Sequence, residues 1–288
     1  MGFLDSITKC RLSKPSDVWH SSPPPHSDPP PEYNDAIASL SPSSSPSPNT
    51  FAVIKQLQIQ AIGYDVDQAL TGRTLETISI DGVDSGEAEY TSIRLTKNSN
   101  SCVLVRASDS RQAPIISTIY RFGPGRHPRM RVLPYDHHVS VQEAIDNVDV
   151  RGEVIEVKSR SYFSRAQTFD TSFGKLEWRY GTGEEHAACN ANSLLIMERI
   201  DRASLPDGRR SKSGTRVAQL VRNDRYRTPG SASYSGGNGG RLMMDLRLWN
   251  DDRNASTYNV EAFIVASCIL MLKREGDRFI DNHLATVV

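Results

Sequence analysis

The most specific short motif in the chain is the run Pro30-Pro31-Glu32-Tyr33, a PPxY sequence. Neighbouring prolines preorganise a polyproline II helix, and WW domains bind such helices in a groove lined by aromatic side chains. The motif therefore predicts that Pro30, Pro31 and Tyr33 bind a WW-domain protein. HECT-type ubiquitin ligases carry such domains, and the chain would then be their adaptor or substrate. A chance match within a proline-rich segment is the alternative.

A cluster of arginines is the second group with defined chemistry: Arg126, Arg129 and Arg131. If Arg129 and Arg131 lie on a strand, their spacing of two residues places both on the same face. Arginine forks match phosphate oxygens, so the cluster predicts a site for an anionic lipid head group. The alternative is a solvated strand face whose arginines pair with Asp136 or nearby carboxylates.

Two further segments resemble ligand sites more weakly. Arg222, Arg225 and Arg227 allow the same two interpretations as the first arginine cluster. The glycine-rich run 236–240 lacks the Lys-Ser/Thr pair that follows in a phosphate-binding loop. A flexible hairpin connection is therefore expected at this run.

Residues suited to catalysis do not form a recognisable set. Cys189 and His186 lie close together in a predicted loop, but nothing in the sequence marks the thiol as activated. The four cysteines contain no CxxC pair, so neither a zinc site nor a disulfide framework is expected. We predict no catalytic residues, no metal site and no cofactor, with a Cys189/His186 hydrolase as the weakest alternative.

The PPxY motif lies in a segment of distinct composition. Ten of the sixteen prolines fall within the first fifty residues, with serine between many of them. Such a segment has too little apolar surface to offset the entropy of ordering it. Residues 1–50 are therefore predicted to be a disordered tail, and residues 51–288 to be the folded domain.

The folded domain is expected to consist mainly of β-strands. Short alternating or β-branched runs recur from Phe51 to Leu248, and turn-forming pairs such as Asp81-Gly82 separate them. Many short strands with regular turns are typical of a sandwich or a barrel.

One segment near the C-terminus has a different pattern. Residues 262–272 are apolar on every side except at Ser267. The run is much shorter than the roughly 20 residues that cross a bilayer, so the predicted helix must be buried in protein. Asn259 is the expected N-cap of this helix and Gly276 its expected end.

The order of these features resembles the tubby C-terminal-like superfamily, and most closely a fungal tubby-like group. The residues that carry the resemblance are Thr171–Tyr180, Val217–Arg222, Arg227–Gly230 and Gly239-Gly240, followed by the apolar helix. The resemblance covers about residues 51 to 278. It implies a closed antiparallel barrel of about twelve strands around the buried helix, an architecture shared with LURP-one-related proteins and phospholipid scramblases.

The net charge and the expected absence of membrane-spanning and signal segments exclude some classes of function. The formal net charge is zero, which argues against a partner held by broad phosphate neutralisation, such as a nucleic acid. No secretory signal or transmembrane segment is expected, so the predicted location is the cytoplasm, with peripheral membrane association. The leading prediction is a non-enzymatic adaptor that binds a WW-domain partner and either an anionic lipid or a protein cargo. A scramblase-like lipid-handling protein is the main alternative.

Overall fold

The computed structural model describes residues 50–64, 77–96, 99–121, 126–134, 139–159, 164–204, 210–250 and 256–287. Side chains at 201–204, 210–213 and 283–287 are outside this description. All described residues belong to one compact unit, Pro46–Val288. Residues 1–49 lie outside the described residues, as does the PPxY motif, so the predictions for the tail stay predictions.

Within the described ranges, thirteen antiparallel strands form a single sheet, which confirms the predicted mainly-β fold with one strand more than the expected twelve. The strands are β1 Lys55–Ile59, β2 Ile78–Gly82, β3 Ala88–Arg94, β4 Cys102–Arg106, β5 Pro114–Ile119, β6 Arg129–Val132, β7 Glu153–Glu156, β8 Lys158–Ser159, β9 Gln167–Thr171, β10 Gly174–Tyr180, β11 Ser193–Ser204, β12 Arg210–Arg222 and β13 Arg241–Met244. Their order across the sheet is β7-β6-β5-β4-β3-β2-β1-β13-β12-β11-β10-β9-β8. The chain thus runs outward from β1 to the edge strand β7, then starts again at the opposite edge with β8 and runs inward to β13, which pairs with β1.

The sheet curls into a nearly closed barrel. Strand β7 contacts β9 across the seam. There, the backbone N–H and the hydroxyl of Ser172 donate to the two carboxylate oxygens of Glu153, at 2.6 and 2.7 Å. Glu153 therefore holds together two parts of the sheet that do not share a strand ladder.

A helix, α3 Thr257–Val287, fills the barrel. Every side chain from Ala262 to Lys273 is buried, as the all-round apolar pattern of 262–272 predicts. The predicted limits of the helix are wrong. It begins before Asn259, whose backbone N–H donates to Ser256 O at 2.8 Å. It also continues past Gly276, where the lack of a side chain serves packing instead of termination.

The packing role of Gly276 follows from its neighbour Tyr64. A Cβ atom at position 276 would lie 2.9 Å from the Tyr64 ring, which is too close for a stable contact. A Cβ at Gly237 would lie 2.4 Å from the carbonyl oxygen of Leu272. The glycine run 236–240, predicted to be a flexible hairpin connection, is instead closely packed: Gly236 and Gly237 lie against α3, and Gly239 and Gly240 lie against the backbone of Ile59 and Val221.

Aromatic side chains of the sheet hold the helix in register. Phe263 forms edge contacts with Phe169 and Phe173, with ring centroids 5.5 and 5.3 Å apart. The indole N–H of Trp178 donates to the hydroxyl of Ser267 at 2.9 Å. The one polar residue in the apolar run is therefore satisfied inside the core, where an unpaired hydroxyl would be costly.

In the part of the chain that the structure describes, two short helices lie outside the barrel: α1 Val141–Asp146 and α2 Gly183–Ala188. Each begins with a capping box, from Ser140 to Glu143 and from Thr182 to Glu185. A 3₁₀ turn, Arg247–Trp249, follows β13. Helix α1 covers the outer face of β4, where Ala144 shares a small apolar cluster with Val103 and Val105.

Candidate functional site: an arginine-lined groove

A groove of about 560 Å³ opens between α1 and the outer face of the barrel. Strand alternation places the outer face of β6 there, because Met130 and Val132 belong to the core around α3 and Arg129 and Arg131 alternate with them along the strand. The lining residues are Leu95, Thr96, Ser99, Ser101, Ile119, Arg121, Arg129, Met130, Arg131, Gln142, Ile145, Asp146, Val148 and Val154. They come from β5, β6, β7, α1 and the segment after β3.

Two of the three lining arginines are available to a ligand. Arg121 and Arg129 are exposed, and neither forms an ion pair with a carboxylate among the residues that the structure describes. Arg129 lies opposite Glu156 in the β6–β7 register, but Glu156 pairs with Lys158 instead, at 3.9 Å. Among the described residues, the groove therefore presents two guanidinium groups without a carboxylate partner. Asp136, the alternative partner named from sequence, lies outside the described residues.

The third lining arginine, Arg131, has a structural role as well. It is 5% exposed, and its two terminal nitrogens donate to the carbonyl oxygens of Asn147 and Val148 at 2.9 and 3.1 Å. These bonds hold the segment after α1 against β6. The Nε of Arg131 is buried and has no acceptor within the described part of the chain. Arg131 thus shapes the groove and retains one unused donor.

The rim of the groove is apolar. Leu95, Val148 and Val154 are 38, 76 and 55% exposed, and all three line the groove. Exposed apolar side chains beside cationic ones suit a ligand with both a charged and an apolar part. One carboxylate, that of Asp146, also lines the groove, and it accepts a hydrogen bond from the side-chain amide of Gln142.

The structure brings together two of the three arginines predicted from sequence. Arg129 and Arg131 share the outer face of β6, as their spacing implies. Arg126 is exposed but does not line the groove. The third arginine of the groove is Arg121, where the sequence had predicted Arg126. Arg121 and α1 were missed; the Ser140-x-x-Glu143 capping box is the signal that could have located the helix.

The second predicted arginine group does not form one surface. Arg222 is buried and forms a bidentate ion pair with Glu275, at 2.5 and 2.9 Å. Arg227 pairs with Asp224, and exposed Arg225 lies 5.5 Å from the Tyr226 ring. These residues therefore have separate local roles.

A third charged surface, beside α2, is internally paired. Arg179 bonds Glu185 at 2.8 Å and Glu198 at 2.5 Å, and Arg216 bonds Glu185 at 2.5 Å. Both carboxylates and both guanidinium groups are satisfied by one another. This network therefore leaves fewer charged groups available to a ligand than the groove does.

The remaining candidates from sequence have ordinary partners. His186 Nδ1 lies 3.2 Å from the carbonyl oxygen of Ala191, and Cys189 Sγ lies 3.9 Å from Gln219 Oε1. Within the described ranges, no three His, Cys, Asp or Glu side chains gather as ligands of a metal ion would. None of the helices described is long and apolar enough to cross a membrane.

Fold and site together define a helix-filled antiparallel barrel with an arginine-lined external groove. Comparison of the chain with protein-family models, with curated proteins and with solved structures gave no match. The resemblance to the tubby C-terminal-like superfamily therefore stays a prediction.

The paired network beside α2 makes stability depend on pH. A hydrogen bond from Arg179, together with the backbone N–H of Thr182 and the charge of Arg216, lowers the pKa of Glu185 from about 4.5 to about 2. We expect Glu185→Gln to lower the free energy of unfolding by about 2 kcal/mol at pH 7. Because the pKa of Glu185 is lower in the folded than in the unfolded protein, its ionised form stabilises the fold at pH values above about 4.5. This stabilisation is lost as pH falls from about 4.5 to about 2, so the difference in unfolding free energy between wild type and Glu185→Gln shrinks over that range.

Urea denaturation at several pH values measures this effect. The matched control is Glu184→Gln, since Glu184 is exposed and adjacent to Glu185. Its unfolding free energy should stay within about 0.5 kcal/mol of wild type. A Glu185→Gln deficit that does not change between pH 7 and pH 2 would contradict the assigned ion pairs.

Proposed function

We propose that this chain is a non-enzymatic binding protein whose groove recognises the anionic head group of a membrane lipid. The observation that carries the proposal is the pair of exposed arginines, Arg121 and Arg129, which lack a carboxylate partner among the described residues and lie within one groove. Guanidinium groups match phosphate oxygens in geometry and charge, and a phosphoinositide presents several phosphates.

The apolar rim supports a lipid over a free anion. A head group held between Arg121 and Arg129 would bring its acyl chains toward Leu95, Val148 and Val154. Burying exposed apolar side chains at the membrane interface adds a hydrophobic contribution to the electrostatic one. The two kinds of contact together favour a membrane surface as the partner.

The adaptor part of the proposal rests on the PPxY motif. Pro30, Pro31 and Tyr33 would recruit a WW-domain protein, such as a HECT-type ubiquitin ligase, while the groove holds the chain at a membrane. A protein cargo is the alternative ligand of the groove, and its acidic side chains would use the same two arginines.

Liposome sedimentation tests the lipid proposal. Wild-type protein should bind phosphatidylcholine vesicles that contain a few per cent phosphoinositide, and binding should weaken as salt rises. The double variant Arg121→Ala/Arg129→Ala should lose at least tenfold in affinity, because each charge-assisted hydrogen bond contributes about 1.5–3 kcal/mol. Arg126→Ala is the matched control, since Arg126 is exposed nearby but outside the groove.

Two results would contradict the lipid proposal. One is equal binding of wild type and the double variant to the vesicles. The other is an equal loss in Arg126→Ala and in the double variant, which would indicate general attraction without a site. Circular dichroism confirms that all variants are folded, and none of the three substituted arginines contributes to the core.

Binding of the full chain to an isolated WW domain tests the adaptor proposal. Tyr33→Ala should weaken binding at least tenfold, because it removes the ring that fills the second pocket of the WW domain. Tyr234→Ala is the control, since Tyr234 is an exposed tyrosine of the barrel domain. Unchanged affinity of Tyr33→Ala would remove the motif from the account.

A further inference from the structure

The C-terminal half of α3 carries a second group of charges, at the end of the barrel. Its two half-buried carboxylates already have partners. Glu275 pairs with Arg222, and Asp277 accepts hydrogen bonds from the hydroxyl of Tyr120 and from the side-chain amide of Asn100. Asp281, further along, is exposed. The carboxylates that lie deepest are thus occupied by residues other than the arginines of α3.

The lysine of this segment is also satisfied. Lys273 is 1% exposed, and its ammonium group donates to the carbonyl oxygen of Asn100 at 2.7 Å. Its charge is therefore held by the backbone of the segment between β3 and β4, which leaves the arginines as the available cations.

Arg274 and Arg278 have no ion-pair partner among the residues that the structure describes. They are half-buried, and the Nε of Arg274 and one terminal nitrogen of Arg278 are buried without an acceptor. A spacing of four residues places both side chains on one face of the helix, about 5–6 Å apart at Cβ. Like charges at this spacing repel each other, so the pair is unfavourable without an anion.

The positive charge of Arg274 is only partly compensated by its surroundings. Burial lowers the pKa of Arg274 and the charge of Arg278 adds to this shift, whereas Tyr120 and Asp277 oppose it without cancelling it. Both guanidinium groups lie close enough to the Tyr120 hydroxyl to oppose the rise in its pKa that burial and Asp277 cause. Arg278 acts in the same way on Tyr180, whose pKa burial and Glu275 raise.

A third guanidinium group approaches from the sheet. Arg165, exposed in the segment before β9, has its central carbon 5.9 Å from the centroid of the Tyr180 ring. Arg165 has no carboxylate partner among the described residues. Three cations therefore lie around Tyr120 and Tyr180, whose hydroxyl groups already donate to Asp277 and Glu275.

We propose that Arg274, Arg278 and Arg165 form a binding site for a phosphate group at this end of the barrel. A phosphate dianion accepts several hydrogen bonds at once and compensates the repulsion between Arg274 and Arg278. The site is separate from the groove, because Tyr120 points to α3 and the next residue, Arg121, lines the outer groove. The ligand is inorganic phosphate or a soluble phosphate monoester.

Isothermal titration calorimetry on the full chain tests the site. Inorganic phosphate and glycerol phosphate, titrated separately, distinguish the free ion from the ester. Wild type should bind at least one of them saturably, and Arg274→Gln and Arg278→Gln should each raise the dissociation constant at least tenfold. Arg278→Lys keeps the charge but loses the fork, so its affinity should fall at least threefold. Arg111→Gln is the control, because Arg111 is exposed and is not one of the three arginines of the site, and its affinity for phosphate should equal that of wild type.

Thermal unfolding gives an independent readout. Without phosphate, Arg274→Gln should melt at or above the wild-type temperature, because it removes an unpaired charge. With phosphate, only wild type and Arg111→Gln should gain stability. The proposal is overturned by the lack of saturable binding to wild type, by equal affinity of wild type and the glutamine variants, or by a lower melting temperature of Arg274→Gln in phosphate-free buffer.

This test is distinguishable from that of the lipid groove. Arg121→Ala/Arg129→Ala leaves the three arginines of the phosphate site in place, so its affinity for phosphate should equal that of wild type. A loss of phosphate binding in that double variant would assign the anion to the groove and overturn the separate site.

Discussion

The burial of α3 inside the sheet is the interaction on which the rest of the structure depends. Twelve consecutive residues, Ala262–Lys273, are buried on all sides, so each strand that lines the barrel packs its inward side chains against the helix. Burial of this kind contributes about 25 cal/mol for each Å² of apolar surface removed from water. A curved sheet without the helix would leave a continuous apolar cavity. The closure of the barrel and the burial of the helix are therefore expected to be coupled, because each buries the apolar surface of the other.

A filled barrel restricts where ligands can bind. Among the described residues, α3 and the inward side chains of the sheet form one continuous core, so recognition is expected on the outer face or at the ends. The groove beside α1 is on the outer face, where alternation along β6 places arginines. The proposed phosphate site is at an end, where the polar half of the same helix leaves the apolar core. The groove thus follows from the alternation of β6, and the proposed phosphate site follows from the change in α3 from apolar to charged residues at Lys273.

Local pattern was enough to predict a mainly β fold and a buried helix, but a sandwich and a barrel both stayed open, and only the resemblance implied a barrel around the helix. Local pattern did not locate the sites. The all-round apolarity of 262–272 identifies a buried helix without any knowledge of its partners. The predicted C-terminal limit of the helix was wrong because glycine ends many helices, whereas Gly276 lies within α3 and makes room for Tyr64, more than 200 residues away in sequence. The same limit applies to Arg222, since nothing near it indicates that Glu275 would pair with it. The groove needs residues from five separate segments, which no local spacing can bring together.

Native-state hydrogen exchange of the α3 amides tests the central claim most directly. If the helix is the core of the barrel, the amides of residues 262–272 exchange only by global unfolding, and their opening free energy equals that from urea denaturation. The amides of α1, which packs on the outer face, exchange at a lower opening free energy. Amides of 262–272 that exchange as readily as those of α1 would show a helix that leaves the barrel while the sheet stays folded, and would contradict this account.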